Sequence, residues 1–338
     1  MLVRRDDVDS TKLYRTHFCV IPIILKADTT VMTDWIPFEL VNIGNRRLVR
    51  WIELHEPFFL EPFFDQTIRA LINTNAAQKL TSIEDIADIQ PTKKPKGFIF
   101  HVSRCGSTLS SRSLAAVSRH RVISEAAPLN QLLLEENLDE SVRQILLKGL
   151  IHTLCGTASD TDCFIKFTSW NLLFLEQILV LFPNTPWVFI YRDPTEVLRS
   201  LIGNPPRWAA NQKLAKITGN PHSKGVEQMI FSLECLFKAP LPHVSQLGQF
   251  INYCQLPEAI LEASAHFGLE LDQVERSRII RMGQYDAKQP GEVKFLARER
   301  EPLSVERGKE ILPLCLLYQE WERMRLIFDK QFTKRIIF

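Results

Sequence analysis

The segment Phe98 to Ser113, FIFHVSRCGSTLSSRS, constrains the fold more than any other stretch of the chain. The apolar run Phe98-Ile99-Phe100-His101-Val102 has the composition of a strand buried on both faces in a parallel sheet. It breaks at Ser103-Arg104-Cys105-Gly106-Ser107-Thr108, and a helix-compatible run follows from about Leu109. Strand, Gly-containing loop and helix is the geometry in which backbone N–H groups converge on an anion at a helix N-terminus. Ser107 and Thr108 add hydroxyl donors, and Arg104 adds a forked positive charge. The loop is not a Walker A motif, because it has one Gly and no Lys at the helix start. On loop chemistry alone, an ordinary strand-to-helix turn with a solvated Arg competes with a phosphate or sulfate site.

The chain downstream alternates strand and helix. The pattern predicts strand 98–102, helix 108–118, strand 122–125 and helices near 129–136 and 140–154. It continues with strand 163–167, helix 170–182, strand 187–191 and helix 194–202. Segments 248–253 and 278–282 read as further strands, and 308–328 as a long amphipathic closing helix. The expectation is an α/β, three-layer P-loop-type fold: a central, mainly parallel sheet flanked by helices. The basic, proline-containing stretch Gln90 to Gly97 reads as a linker. It divides a small N-terminal α+β unit, residues 1–90, from a main domain, residues 97–338. In the N-terminal unit, 20–25 and 47–52 read as strands and 63–72 as a helix. The aromatic cluster Glu56 to Phe64 there is either local core or a partner surface.

A second phosphate site is suggested by Trp187-Val188-Phe189-Ile190-Tyr191-Arg192-Asp193-Pro194-Thr195-Glu196. A buried strand ends at Tyr191. Asp193 is placed to cap the next helix, Pro194 suits its first turn, and Glu196 can complete a capping box. Arg192 then stands at the carboxyl edge of a strand, where open parallel sheets bind ligands. Ser200 follows two turns up the helix. A capped helix with an incidental Arg is the competing interpretation.

Together, Arg-x-Gly-Ser-Thr after a strand, and Arg-Asp-Pro with a Ser eight residues after the Arg, resemble the sulfotransferases that use 3′-phosphoadenosine 5′-phosphosulfate (PAPS). The branch most similar is that of the tyrosylprotein sulfotransferases and related bacterial proteins. The resemblance covers roughly residues 97–290. It implies that Ser103, Arg104, Cys105, Gly106, Ser107 and Thr108 hold the 5′-phosphosulfate, and that Arg192 and Ser200 hold the 3′-phosphate. It implies Glu125 as the base, with Lys166 and Arg104 stabilising the leaving oxygen. Lys288 matches the Lys of a Ser-Lys pair in that branch, with Ala287 in the place of the Ser. PAPS is then the co-substrate, with no metal, and the acceptor is a hydroxyl or amine on a small molecule, carbohydrate or peptide. A P-loop-type phosphotransferase and a non-catalytic nucleotide-binding protein of the same fold are the alternatives.

Composition narrows the remaining classes. In 338 residues, 45% are hydrophobic and 24% charged, as in a globular protein with a sizeable core. A formal net charge of +2 argues against a general nucleic-acid binder. The apolar stretch 171–182 is too short for a membrane span. Charges at Arg4, Arg5, Asp6 and Asp7, and seven Cys without a C-x-x-C pair, suggest a cytoplasmic setting with reduced thiols. No His/Cys/carboxylate spacing resembles a metal site. His152 is the runner-up base, and alternation along the strand turns His101 away from the binding edge or into a satisfied core position. The polar, basic span 203–225, with Arg207, Lys213, Lys216 and Lys224, reads as a lid or a solvated loop.

Overall fold

The computed structural model describes residues 35–54, 59–89, 93–156, 161–219, 222–244, 247–289, 293 and 305–336. The first elements are β1 (Trp35–Ile43), β2 (Arg46–Glu53), α1 (Phe64–Asn73) and β3 (Gln78–Ser82). Next come β4 (Gly97–His101), α2 (Ser107–Ala115), β5 (His120–Ser124), α3 (Ala127–Leu133), α4 (Glu140–Cys155) and β6 (Asp162–Lys166). Then follow α5 (Leu175–Leu181), β7 (Trp187–Tyr191), α6 (Pro194–Gly203), α7 (Gln212–Thr218), α8 (Gly225–Lys238) and β8 (Gly248–Asn252). The chain closes with α9 (Ala259–His266), α10 (Gln273–Arg281), α11 (Val305–Glu310) and α12 (Leu312–Ile336).

The main sheet has five strands in the order β5-β6-β4-β7-β8, all parallel. Its three middle strands are almost wholly buried, which is why they read as continuous apolar runs rather than alternating ones. Helices cover both faces. On one face Phe164 of β6 and His120 of β5 pack as edges, and Phe164 meets Phe267 at the end of α9. A Cβ at Gly97 would lie 2.3 Å from the Phe267 ring, so the close approach of α9 to the start of β4 requires glycine there. On the other face Phe98 meets Phe182, which follows α5, and Phe100 stacks on Phe167. The expected α/β architecture with a mainly parallel central sheet is therefore present.

The N-terminal sheet is antiparallel, in the order β1-β2-β3. Its buried residues, among them Ile36, Val49, Trp51 and Ile52, belong to one continuous apolar core with the main sheet. β1 is joined to α3 by a hydrogen bond from the Leu40 backbone N–H to Gln131 Oε1 (2.7 Å). Lys93, in the stretch read as a linker, is held by Thr161 Oγ1 at 2.8 Å.

Several sequence expectations shift. Residues 278–282 are helical: Asp272 caps α10 by accepting from the Glu275 N–H, and this local signal outweighs the β-branched pair Ile279-Ile280. The helix expected over 170–182 starts as a 3-10 turn, Ser169–Phe174, before α5. The span 203–225 is not a structureless loop. It holds a short 3-10 turn and α7, which Asn211 caps, and Lys213 and Lys216 lie within 4 Å of Glu136. β1 and β3 were not anticipated, since their polar alternation is that of a half-solvated antiparallel sheet. The strand expected over 20–25 lies outside the described residues.

Candidate active site

The C-terminal ends of all five parallel strands open on one edge, and each leads to a side chain of the candidate site. Beyond β4 the backbone turns sharply, with positive φ at Ser103 (79°), Arg104 (51°) and Gly106 (83°). Left-handed conformations at two non-glycine residues are unfavourable by about 1–2 kcal/mol each. The turn is pinned from below. The Ser103 N–H donates to His101 Nδ1 (3.1 Å), and the Cys105 thiol donates to the Ile190 carbonyl (3.1 Å). A Cβ at Gly106 would lie 2.6 Å from Leu256 and 2.8 Å from Tyr253, so no larger residue fits. α2 starts at once with Ser107 and Thr108, both nearly buried. The result is a concave stretch of backbone running into a helix N-terminus.

β5 ends at Ser124, and Glu125 adopts φ 60°. Its N–H donates to the Lys166 carbonyl (2.8 Å), which folds the side chain back over β6. There Glu125 Oε1 accepts from Lys166 Nζ. Lys166 is fully buried, whereas a quarter of the Glu125 side chain is exposed. Burial raises the Glu125 carboxyl pKa, but the adjacent Lys166 charge and hydrogen bond outweigh it and leave the pKa below the usual carboxylate range. Sequence spacing matched Glu125 and Lys166 separately to the family pattern; the structure joins them.

His101 lies beside this pair, with Nε2 3.8 Å from Glu125 Oε1. Its Nδ1 accepts from the Ser103 N–H, so Nε2 carries the proton and donates to the Phe167 carbonyl (3.0 Å). Burial, and then the Lys166 charge, push the His101 pKa down to about 3, so the ring is neutral. Of the two fates expected for His101, the satisfied core position holds, yet it also borders the site. His152 is placed elsewhere. It bonds the Lys93 carbonyl, which precedes β4, so it sits toward the opposite edge of the sheet from Glu125. Cys105 is completely buried and its thiol pKa is raised to about 11 by burial, as befits a small filler.

Arg192 follows β7. Its guanidinium stacks over the Tyr253 ring (4.1 Å), donates to the Arg104 carbonyl (3.3 Å) and pairs with Glu196 (3.2 Å). Asp193 caps α6 by accepting from the Thr195 and Glu196 N–H groups. The Glu196 side chain does not return to complete a capping box. It bridges Arg192 and Arg199 (2.6 Å), leaving this group with a net positive charge. Ser200 is half-buried on α6. Arg104 reaches across to the Asn204 carbonyl (2.7 Å), tying the loop to the end of α6.

Lys288 comes from a segment held by α2. Arg112 Nη1 donates to the carbonyls of Asp286 (3.2 Å) and Gln289 (2.8 Å). Lys288 is exposed at the rim and feels the charges of Arg104, Lys166, Asp286 and Glu125. Partial burial, then the Arg104 and Lys166 charges, bring its pKa down to about 8. Two lysines, Lys166 and Lys288, thus act on one carboxylate at the mouth of the loop, and the Arg104 charge reaches Lys288. Among the described residues no group of His, Cys, Asp and Glu is arranged to hold a metal, and no helix is long and apolar enough to cross a membrane.

Three contributors were not picked out from sequence. Tyr253, which follows β8, forms the platform for Arg192. Arg112, on α2, holds the segment that carries Lys288. Phe63, from the N-terminal unit, lies with its ring 5.3 Å from Lys166 Nζ. No sequence signal links residue 63 to residue 166, since the contact is purely tertiary.

No protein-family model and no curated protein matches the sequence. Solved structures similar to it include the sulfotransferase domain from the curacin biosynthetic pathway, at 18% identity over 59% of this chain and 81% of that one, with a TM-score of 0.40. A sulfotransferase from Mycobacterium avium is 11% identical over 63% of this chain and 71% of its own, with a TM-score of 0.40. One from Mycobacterium tuberculosis H37Rv is 13% identical over 58% and 73%, with a TM-score of 0.39. At these values no residue role transfers from them.

Proposed function

We propose that the protein is a PAPS-dependent sulfotransferase, moving a sulfuryl group to a hydroxyl or amine acceptor. The observation that carries this reading is the Glu125–Lys166 pair at the mouth of the 103–108 loop. A base and a buried cation stand together beside a backbone cradle suited to an anion.

In this reading the acceptor oxygen attacks sulfur while the bond from sulfur to the bridging phosphate oxygen breaks. Negative charge grows on that leaving oxygen, and Lys166 and Arg104 are the cations that stabilise it. Glu125 takes the acceptor proton. The loop N–H groups, Ser107 and Thr108 hold the 5′-phosphosulfate, with Ser103, Cys105 and Gly106 shaping the turn. Arg192 and Ser200 take the 3′-phosphate, and Arg199 keeps Glu196 partnered when Arg192 turns to the ligand. Lys288 neutralises charge at the rim.

The pair also explains how a carboxylate with a lowered pKa can serve as base. An incoming phosphosulfate competes with Glu125 for Lys166. As Lys166 turns to the anion, the pull that lowers the Glu125 pKa weakens, while its burial remains. Donor binding therefore strengthens the base.

The test is a thermal-shift panel with 3′-phosphoadenosine 5′-phosphate (PAP), ATP, GTP and NAD at equal concentration. A ligand at about a hundred times its Kd stabilises by about 2.7 kcal/mol. Selective stabilisation by PAP is expected. A selective response to ATP or GTP would replace this reading with a phosphotransferase.

A further inference from the structure

Among the described residues, the N-terminal unit meets the Glu125–Lys166 pair through Phe63. Phe63 caps the start of α1, and its half-buried ring lies over Lys166 Nζ at 5.3 Å, against the Glu125–Lys166 pair. Its neighbours fix the path of the chain. Phe59, almost fully buried, stacks on Phe64 and covers the Arg121 guanidinium at 5.1 Å. Arg121 belongs to β5, the edge strand, so this segment runs along the β5 side of the site. The nucleotide anchors Arg104 and Arg192 follow β4 and β7, on the other side of Lys166. The exposed part of Glu125 thus lies between a cationic cradle on one flank and an aromatic ring on the other. Leu60 is exposed in the same segment, and Glu61 is close enough to act on the Arg112 charge.

We infer that Phe63 is the acceptor-side wall of the site and selects neutral acceptors that carry apolar surface beside the hydroxyl; this rests on the sulfuryl-transfer reading above. An anionic acceptor meets the Glu125 carboxylate beside the ring, and a sugar has less apolar surface to set against that ring than an aromatic or alkyl skeleton has. A hydroxyl on an apolar skeleton buries that skeleton against Phe63 while its oxygen faces Glu125. The ring also excludes water from the buried Lys166 charge, and so acts as a positioning residue for it.

The test is calorimetry on the PAP-saturated protein, with 2-naphthol and glucose as probes. For the wild type, 2-naphthol should bind at least tenfold more tightly than glucose. Phe63→Gln should weaken 2-naphthol by about tenfold and leave the PAP Kd within twofold, while Phe63→Leu retains most of the 2-naphthol affinity. Equal binding of the two probes, or no binding of 2-naphthol, would overturn the inference without any variant. An unchanged 2-naphthol affinity in a folded Phe63→Gln protein would also overturn it. Failure of the wild type to bind PAP would overturn the sulfuryl-transfer reading itself, and the Phe63 inference with it.

Discussion

Replacing Glu125 with Gln separates the roles proposed for the central pair. The amide keeps the shape of the side chain and can still accept from Lys166 Nζ, but it removes the only carboxylate bonded to that ammonium among the described residues. Breaking a fully buried ion pair by removing one partner is destabilising by about 3–5 kcal/mol; with Glu125 a quarter exposed, about 2–3 kcal/mol is expected. That corresponds to a fall in Tm on the order of 5 °C. A bound anion should restore much of the loss, because it supplies the countercharge that Lys166 then lacks. PAP should therefore raise the Tm of the variant more than that of the wild type, and its affinity should hold or improve. Turnover should fall by about 10²–10⁴-fold, the usual loss for a general base. The assay pairs melting curves with and without PAP with the rate of sulfuryl transfer to an identified acceptor. Near-normal turnover would remove Glu125 as base. A PAP affinity weakened tenfold would refute the competition between Glu125 and the donor for Lys166.

Other consequences can be checked independently. With the Lys288 pKa lowered to about 8, the free protein loses this proton early, so PAP affinity should be flat below about pH 8 and decline above it. Solvent screening at the exposed rim moves the midpoint slightly upward, and Lys288→Met should abolish the decline. Titration of PAP between pH 6.5 and 9.5 checks both, and a slope unchanged in Lys288→Met would contradict the assignment. Cys105, buried and with its thiol pKa raised to about 11, should resist iodoacetamide at pH 7.5 in the native protein. Peptide mapping that finds rapid alkylation there would refute its role as a sealed filler. Turnover should continue in EDTA, because Arg104 and Lys166 supply the charge proposed for the leaving oxygen. Loss of activity restored by magnesium would contradict that.

The main sheet was legible because parallel strands buried on both faces leave continuous apolar runs, and β4, β6 and β7 fall where those runs predict. The loop Ser103–Thr108 and Arg192 could be placed at the binding edge for the same reason: each follows such a run. Pairings across the fold were not legible. Nothing in the spacing of residues 125 and 166 states that they form an ion pair; the pairing needs β5 beside β6 and a left-handed Glu125. His101 shows the limit of alternation, which fixes the face of a strand and not the backbone groups beyond its end. The contact of Phe63, at the start of α1, with Lys166 of β6 joins elements far apart in the chain and is invisible to periodicity. The error over 278–282 came from reading β-branched residues without weighing the Asp272 cap.

The central proposal is a nucleotide carrying both a 5′-phosphosulfate and a 3′-phosphate, and PAP against AMP tests it most directly. The two ligands differ only by the phosphate assigned to Arg192 and Ser200. Charge-assisted contacts of this kind contribute about 1.5–3 kcal/mol, so calorimetry should find PAP bound about tenfold to a hundredfold more tightly than AMP. In an Arg192→Ala, Ser200→Ala double variant the two affinities should converge. Equal affinity for PAP and AMP in the wild type, or no binding of either, would contradict the account.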